Sequence, residues 1–169
     1  MSIFHRYKSE IHGNYRRAYL RAGAITGLLL AAYIVVRYLM GRPTASPLSY
    51  VGDAILLVAL FLFAAYYRNS LPGGKVTLKE VMLFGVGLSA VAAVVYGIVL
   101  CLFGLLAPGQ TALFNGSYQM AADRWPVAYW AVWWAVVAAV EVLLLGSFGA
   151  FIAAIVFRNE KSEIKHKEK

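Results

Sequence analysis

Cysteine is almost missing from this chain: Cys101 is the only one, and it lies inside an apolar run. No disulfide can close within one copy, and no cysteine-based metal site can be assembled. Histidine is nearly as scarce, and His5, His12 and His166 all lie near the ends of the chain. Without a His-x-x-His or His-Glu-x-x-His spacing, a zinc hydrolase has no ligands to stand on. Charge is thin too, at 14% of residues, where an ordinary soluble domain carries about a quarter. None of the prolines interrupts the middle of a long apolar run. There is no Gly-x-Ser-x-Gly, no phosphate-cradling loop and no aspartate pair at metal-binding spacing. The chain is therefore expected to be no enzyme and to carry no cofactor.

What is present is apolar. Hydrophobic residues make up 61% of the chain, and the mean hydropathy is +0.66. They fall into four runs, about Leu20–Met40, Tyr50–Tyr67, Glu80–Ala107 and Pro126–Phe157, with charges pushed to the ends. A helix needs about 20 such residues to cross about 30 Å of hydrocarbon. The first run is a retained span: its basic leader is long and no small-x-small cleavage site follows it. The fourth is long enough that it must tilt or project from the bilayer. The expected fold is all-α, a polytopic membrane protein built as a single four-transmembrane-helix bundle over residues 1–169. Residues 1–19 form a cytoplasmic arm and residues 158–169 a basic cytoplasmic tail.

Lysine and arginine set the direction of insertion. Thirteen of the sixteen cations flank one side: Arg6, Lys8, Arg16, Arg17 and Arg21, then Arg68, Lys75 and Lys79, then Arg158, Lys161, Lys165, Lys167 and Lys169. Only Arg37, Arg42 and Arg124 fall to the other. Both termini are expected in the cytoplasm, with the chain in a bacterial inner membrane. So strong a bias excludes a dual-topology exporter, which needs balanced flanks. Trp125, Trp130, Trp133 and Trp134 crowd the non-cytoplasmic end of the fourth span. They are expected to anchor that end among headgroups rather than to form a platform for a sugar.

Membrane helices touch through small residues. Gly23, Gly27 and Ala31 recur in the first span; Ala90, Ala93, Gly97, Cys101 and Gly104 in the third; Gly146, Gly149, Ala150 and Ala153 in the fourth. These stripes are expected to pack the chain against itself, although one of them would equally serve a homo-oligomer. In the arm, Phe4, Tyr7, Ile11 and Tyr15 lie near helical spacing among Arg6, Lys8, Arg16 and Arg17. That pattern predicts a short amphipathic interfacial helix, its rings in the headgroups and its cations towards anionic lipid, broken at Gly13-Asn14. Lipid, not nucleic acid, is the expected partner of these cations.

Polar groups inside a span call for a function or a partner. Arg37 near the end of the first span and Asp53 near the start of the second share a depth and are expected to pair. Glu141 lies near the bilayer midplane, where an isolated carboxylate is costly. Tyr33 and Tyr96 reach that depth and can bond to it. Two readings follow: a working proton or polar switch, and a hydrogen-bonded fixture between helices. The fixture is expected, since the spans hold no second midplane acid, no histidine and no interior proline.

The segment "YYRNSLPGGKVTLKEVMLFGVG", residues 66–87, is the most distinctive. A Tyr-Arg pair closes the second span, Pro72-Gly73-Gly74 turns the chain, and Thr77 with Glu80 has capping-box spacing. It resembles the bacterial four-span proteins of domain-of-unknown-function family 4199. The resemblance implies a small inner-membrane protein with no established activity, accessory to a membrane enzyme such as a polyprenyl-phosphate glycosyltransferase. A small transporter or lipid-handling protein using Glu141 is the alternative.

Overall fold

Away from water every backbone N–H and C=O must find a partner within its own segment, so a long apolar run becomes a helix. The computed structural model describes residues 3–40, 46–70, 76–106 and 127–157, all helical except Met40, Val76 and Thr77. The helices are α1 (Ile3–Leu39), α2 (Ser46–Ser70), α3 (Leu78–Leu106) and α4 (Val127–Phe157). All four are long and apolar enough to cross a membrane. The chain is a multi-pass membrane protein.

The boundaries follow local chemistry. At the start of α3 the Thr77 N–H donates to Glu80 Oε2 at 2.9 Å, and the Glu80 N–H donates to Thr77 Oγ1 at 3.3 Å. This is the capping box that the spacing predicts, and it satisfies two donors that the first turn leaves open. Helix α2 starts at Ser46, ahead of the expected Tyr50, with Pro47 in its first turn. Proline is tolerated there because the missing N–H has no intrahelical acceptor.

One expectation is corrected. The N-terminal arm is helical, but it is not a separate interfacial helix: α1 runs unbroken through Gly13-Asn14. A lone glycine in a helix costs about 1 kcal/mol. With helix already formed on both sides, that is too little to interrupt the hydrogen-bond ladder. The membrane-crossing part is Tyr15–Arg37, and residues 3–14 continue its axis.

The helices alternate in direction. One end of the bundle holds the starts of α1 and α3 and the finishes of α2 and α4; it is called here the termini end, and the other the far end. Helix α3 packs most extensively against α4 and next against α1, while α2 lies on α4 and more sparsely on α1. Small residues make those approaches possible. A Cβ added at Gly23 would sit 2.6 Å from the Leu88 carbonyl oxygen, and one at Gly27 would sit 2.8 Å from that of Ala92. Gly97 and Gly104 receive Ala135, Ala139 and Ala131 of α4; Gly85 faces Ala150, and Gly146 faces Ser89. The stripes in all three helices are used within the chain. Thr26 and Ser89 are fully buried, and each hydroxyl donates to the carbonyl four residues back, at 2.9 Å to Ala22 and 2.8 Å to Gly85.

Two clusters form the interior. Towards the termini end, Ala22, Leu60, Ala64, Tyr67, Val81, Phe84, Leu88 and Ala150 are buried together. Nearer the middle lie Leu30, Leu56, Ala92, Ala93 and Val142. The outer surface is apolar on every helix, with Leu28, Leu62, Val94 and Leu144 each more than half exposed. Such a surface is stable against hydrocarbon and not against water.

Candidate functional site

Each helix delivers polar side chains to one cavity. From α1 come Tyr33 and Arg37, from α2 Asp53, from α3 Tyr96 and from α4 Glu141. The cavity measures about 100 Å³, enough for several waters. Leu30, Leu56 and Val142 of the midplane core close its inner end. Along α1 it runs from Arg37 to Leu30, seven residues deep, or about 10 Å at 1.5 Å per residue. It thus occupies the far half of the bundle and stops at the middle.

The positions follow from the spacing along each helix. Tyr33 and Arg37 are four apart and share a face of α1. The Arg37 guanidinium carbon lies over the Tyr33 ring, 5.8 Å from its centroid. The ring itself packs over Gly52, where an added Cβ would meet it at 3.7 Å. Asp53 follows Gly52 on α2 and reaches the same cavity. Arg37 and Asp53, expected to pair, line the same cavity, and the guanidinium also lies against the Tyr33 ring.

Glu141 is fourteen residues from Val127 and sixteen from Phe157, the middle of α4. It is exposed, and so are Val137, Val140 and Leu144 around it, whereas Val142 is buried. Glu141 therefore lies on the rim, where the cavity meets the lipid-facing surface of α4. Tyr33 and Tyr96, expected to hydrogen-bond Glu141 in a fixture between helices, line the same cavity. The arrangement can exchange a proton or hold a charged group. No group of three His, Cys, Asp or Glu side chains among the described residues could hold a metal ion.

The tryptophans form a different feature. Tyr129, Trp130, Trp133 and Trp134 line a recess of about 240 Å³ at the far end of α4, with Tyr129 and Trp130 edge to face at 5.7 Å. Trp125 lies outside the described residues.

At the termini end, sequence reasoning missed an aromatic set. Tyr15, placed by its spacing among the headgroups, packs inside the bundle instead. Its ring lies 5.6 Å from both Tyr19 and Tyr67 and 6.3 Å from Phe84. Tyr67 stacks on Phe84 at 4.6 Å and 13°. The Tyr66-Tyr67 doublet was visible in the sequence, but only the packed bundle shows which ring turns inward: Tyr67 is buried and Tyr66 is exposed.

Comparison of the chain with protein-family models, with curated proteins and with solved structures gives no match.

Proposed function

We propose that the chain is a small, non-enzymatic transporter or lipid-handling protein of the bacterial inner membrane, with both termini cytoplasmic. It holds a polar ligand in the cavity between its four helices, with Glu141 as the switch. What supports this reading is the convergence of Tyr33, Arg37, Asp53, Tyr96 and Glu141, from four helices, on one space. Polar groups inside a membrane are costly, and gathering these five around a cavity gives the cost a use. The orientation rests on thirteen of sixteen cations flanking the termini end. The cavity then faces the non-cytoplasmic half of the bilayer.

The test is reconstitution. Vesicles containing the protein should show proton-linked uptake or lipid movement that protein-free vesicles lack, and Glu141→Gln should lower that rate at least about tenfold. Equal rates for wild type and Glu141→Gln would end this reading.

A second reading has its own observation. Arg16, Arg17, Arg21 and Lys79 are exposed around the termini end. That basic face suits anionic lipid or an acidic surface on a membrane enzyme, the accessory role that the resemblance to family 4199 implies. Purification of the lone chain, with neither protein nor lipid accompanying it, would remove the second reading.

A further inference from the structure

The ligand-holding reading of the cavity leaves open what the ligand is, and the charges and the shape of the rim narrow it. Resting on that reading, we infer that the cavity takes an ammonium cation carried on a lipid-soluble body. The charged head lies against Glu141 and Asp53, and the apolar body leaves between the lipid-facing side chains of α4.

Charge gives the sign. The cavity wall carries two carboxylates, Asp53 and Glu141, against one guanidinium, Arg37. With all three ionised the site is one negative charge in excess, in a medium where an unpaired charge is expensive. An anion would add to the Asp53–Glu141 repulsion; a single positive charge removes it. The Tyr96 phenol ring adds aromatic surface that attracts an ammonium group. A hard metal ion is poorly served. It needs about six oxygen ligands, and these unbroken helices keep their backbone carbonyls in their own hydrogen bonds.

The rim gives the route. From the lipid side a ligand meets Glu141 first, because that residue is exposed on the outer face of α4. Val137, Val140 and Leu144 beside it are 37%, 49% and 66% exposed, a hydrocarbon-facing surface for an alkyl chain. The shared chemistry, an amine on an apolar body, fits a membrane lipid headgroup as well as an amphiphilic amine dissolved in the membrane. A proton at Glu141 competes with either one, since both neutralise the same charge. The titratable and charged groups that line the cavity with Glu141 are Tyr33 and Arg37 of α1, Asp53 of α2 and Tyr96 of α3.

The test uses the full chain in dodecyl maltoside, which is uncharged and amine-free, with calorimetric titration of three probes. Dodecyltrimethylammonium should bind saturably, and more tightly than tetramethylammonium. Glu141→Gln should weaken it about tenfold or more, Glu141→Asp should restore most of the loss, and Arg37→Gln should not weaken it. If Glu141→Gln fails to fold, as judged by its melting temperature, Asp53→Asn makes the same comparison. Equal binding by wild type and the carboxamide variant overturns the assignment. Tetramethylammonium binding as tightly as the long-chain probe overturns the lipid-borne part and makes water the source. Saturable binding of dodecyl phosphate that Arg37→Gln abolishes overturns the cationic ligand while the ligand cavity stands. No saturable binding of any probe overturns both.

Discussion

At Gly23 a single hydrogen atom sets how near α1 can come to α3. A methyl there would sit 2.6 Å from a backbone carbonyl oxygen and 2.6 Å from Val91 Cβ, neither of which can swing aside. Gly23→Ala should therefore force the helices apart and lower stability by about 1–3 kcal/mol, the range for overpacked cores. Gly52→Ala is the control. Its nearest neighbour is the Tyr33 ring at 3.7 Å, an ordinary contact, so the substitution should leave stability unchanged or raise it by up to about 1 kcal/mol. Thermal unfolding in detergent checks both; equal losses would refute the packing argument. Gly23 was legible in the sequence because small residues recurring every four positions mark a contact stripe. Glu141 was legible by depth but not by direction. Helix α4 is apolar around most of its circumference, and its small-residue stripe marks the packed face without saying that a cavity opens beside Glu141.

At the scale of an element, the starts of α1 and α3 show what local chemistry decides. Thr77 and Glu80 are three residues apart and form their capping box without help from the rest of the fold. Tyr15 depends on its neighbours. Its spacing with Ile11 and Tyr7 suits an interfacial helix, yet its ring sits against Tyr19, Tyr67 and Phe84. Aromatic pairs contribute about 0.5–1.5 kcal/mol each beyond the area they bury. Tyr15→Ala should thus cost about 2 kcal/mol or more. Tyr15→Phe should cost almost nothing, because the hydrogen bond it gives up among the described residues is the hydroxyl's 3.5 Å approach to the Glu80 carbonyl. Chemical denaturation in mixed micelles measures both, and a large loss on Tyr15→Phe would mean that the hydroxyl, not the ring, matters. The continuity of α1 teaches the same lesson. Gly13-Asn14 reads as a break when taken alone, and the helix formed on either side overrides it.

For the whole molecule, alternating helices put both chain ends at one face and the cavity mouth towards the other. Cysteines introduced at either terminus in a Cys101→Ala background should react with a membrane-impermeant maleimide from the same face. Gly52→Cys, on the cavity wall, should react from the opposite face. Termini labelled from opposite faces would defeat the topology. The number of spans, their approximate limits and the charge asymmetry that orients them are properties of composition along the chain, and the sequence by itself determined them. Water, lipid and the insertion machinery respond to runs of apolar residues and to flanking cations, which need no tertiary contact to exist. That Tyr33, Arg37, Asp53, Tyr96 and Glu141 share one cavity was decided only by tertiary structure. Helical rotation and close approach set which faces converge, and those are fixed by packing across glycine and alanine seams between helices remote in sequence.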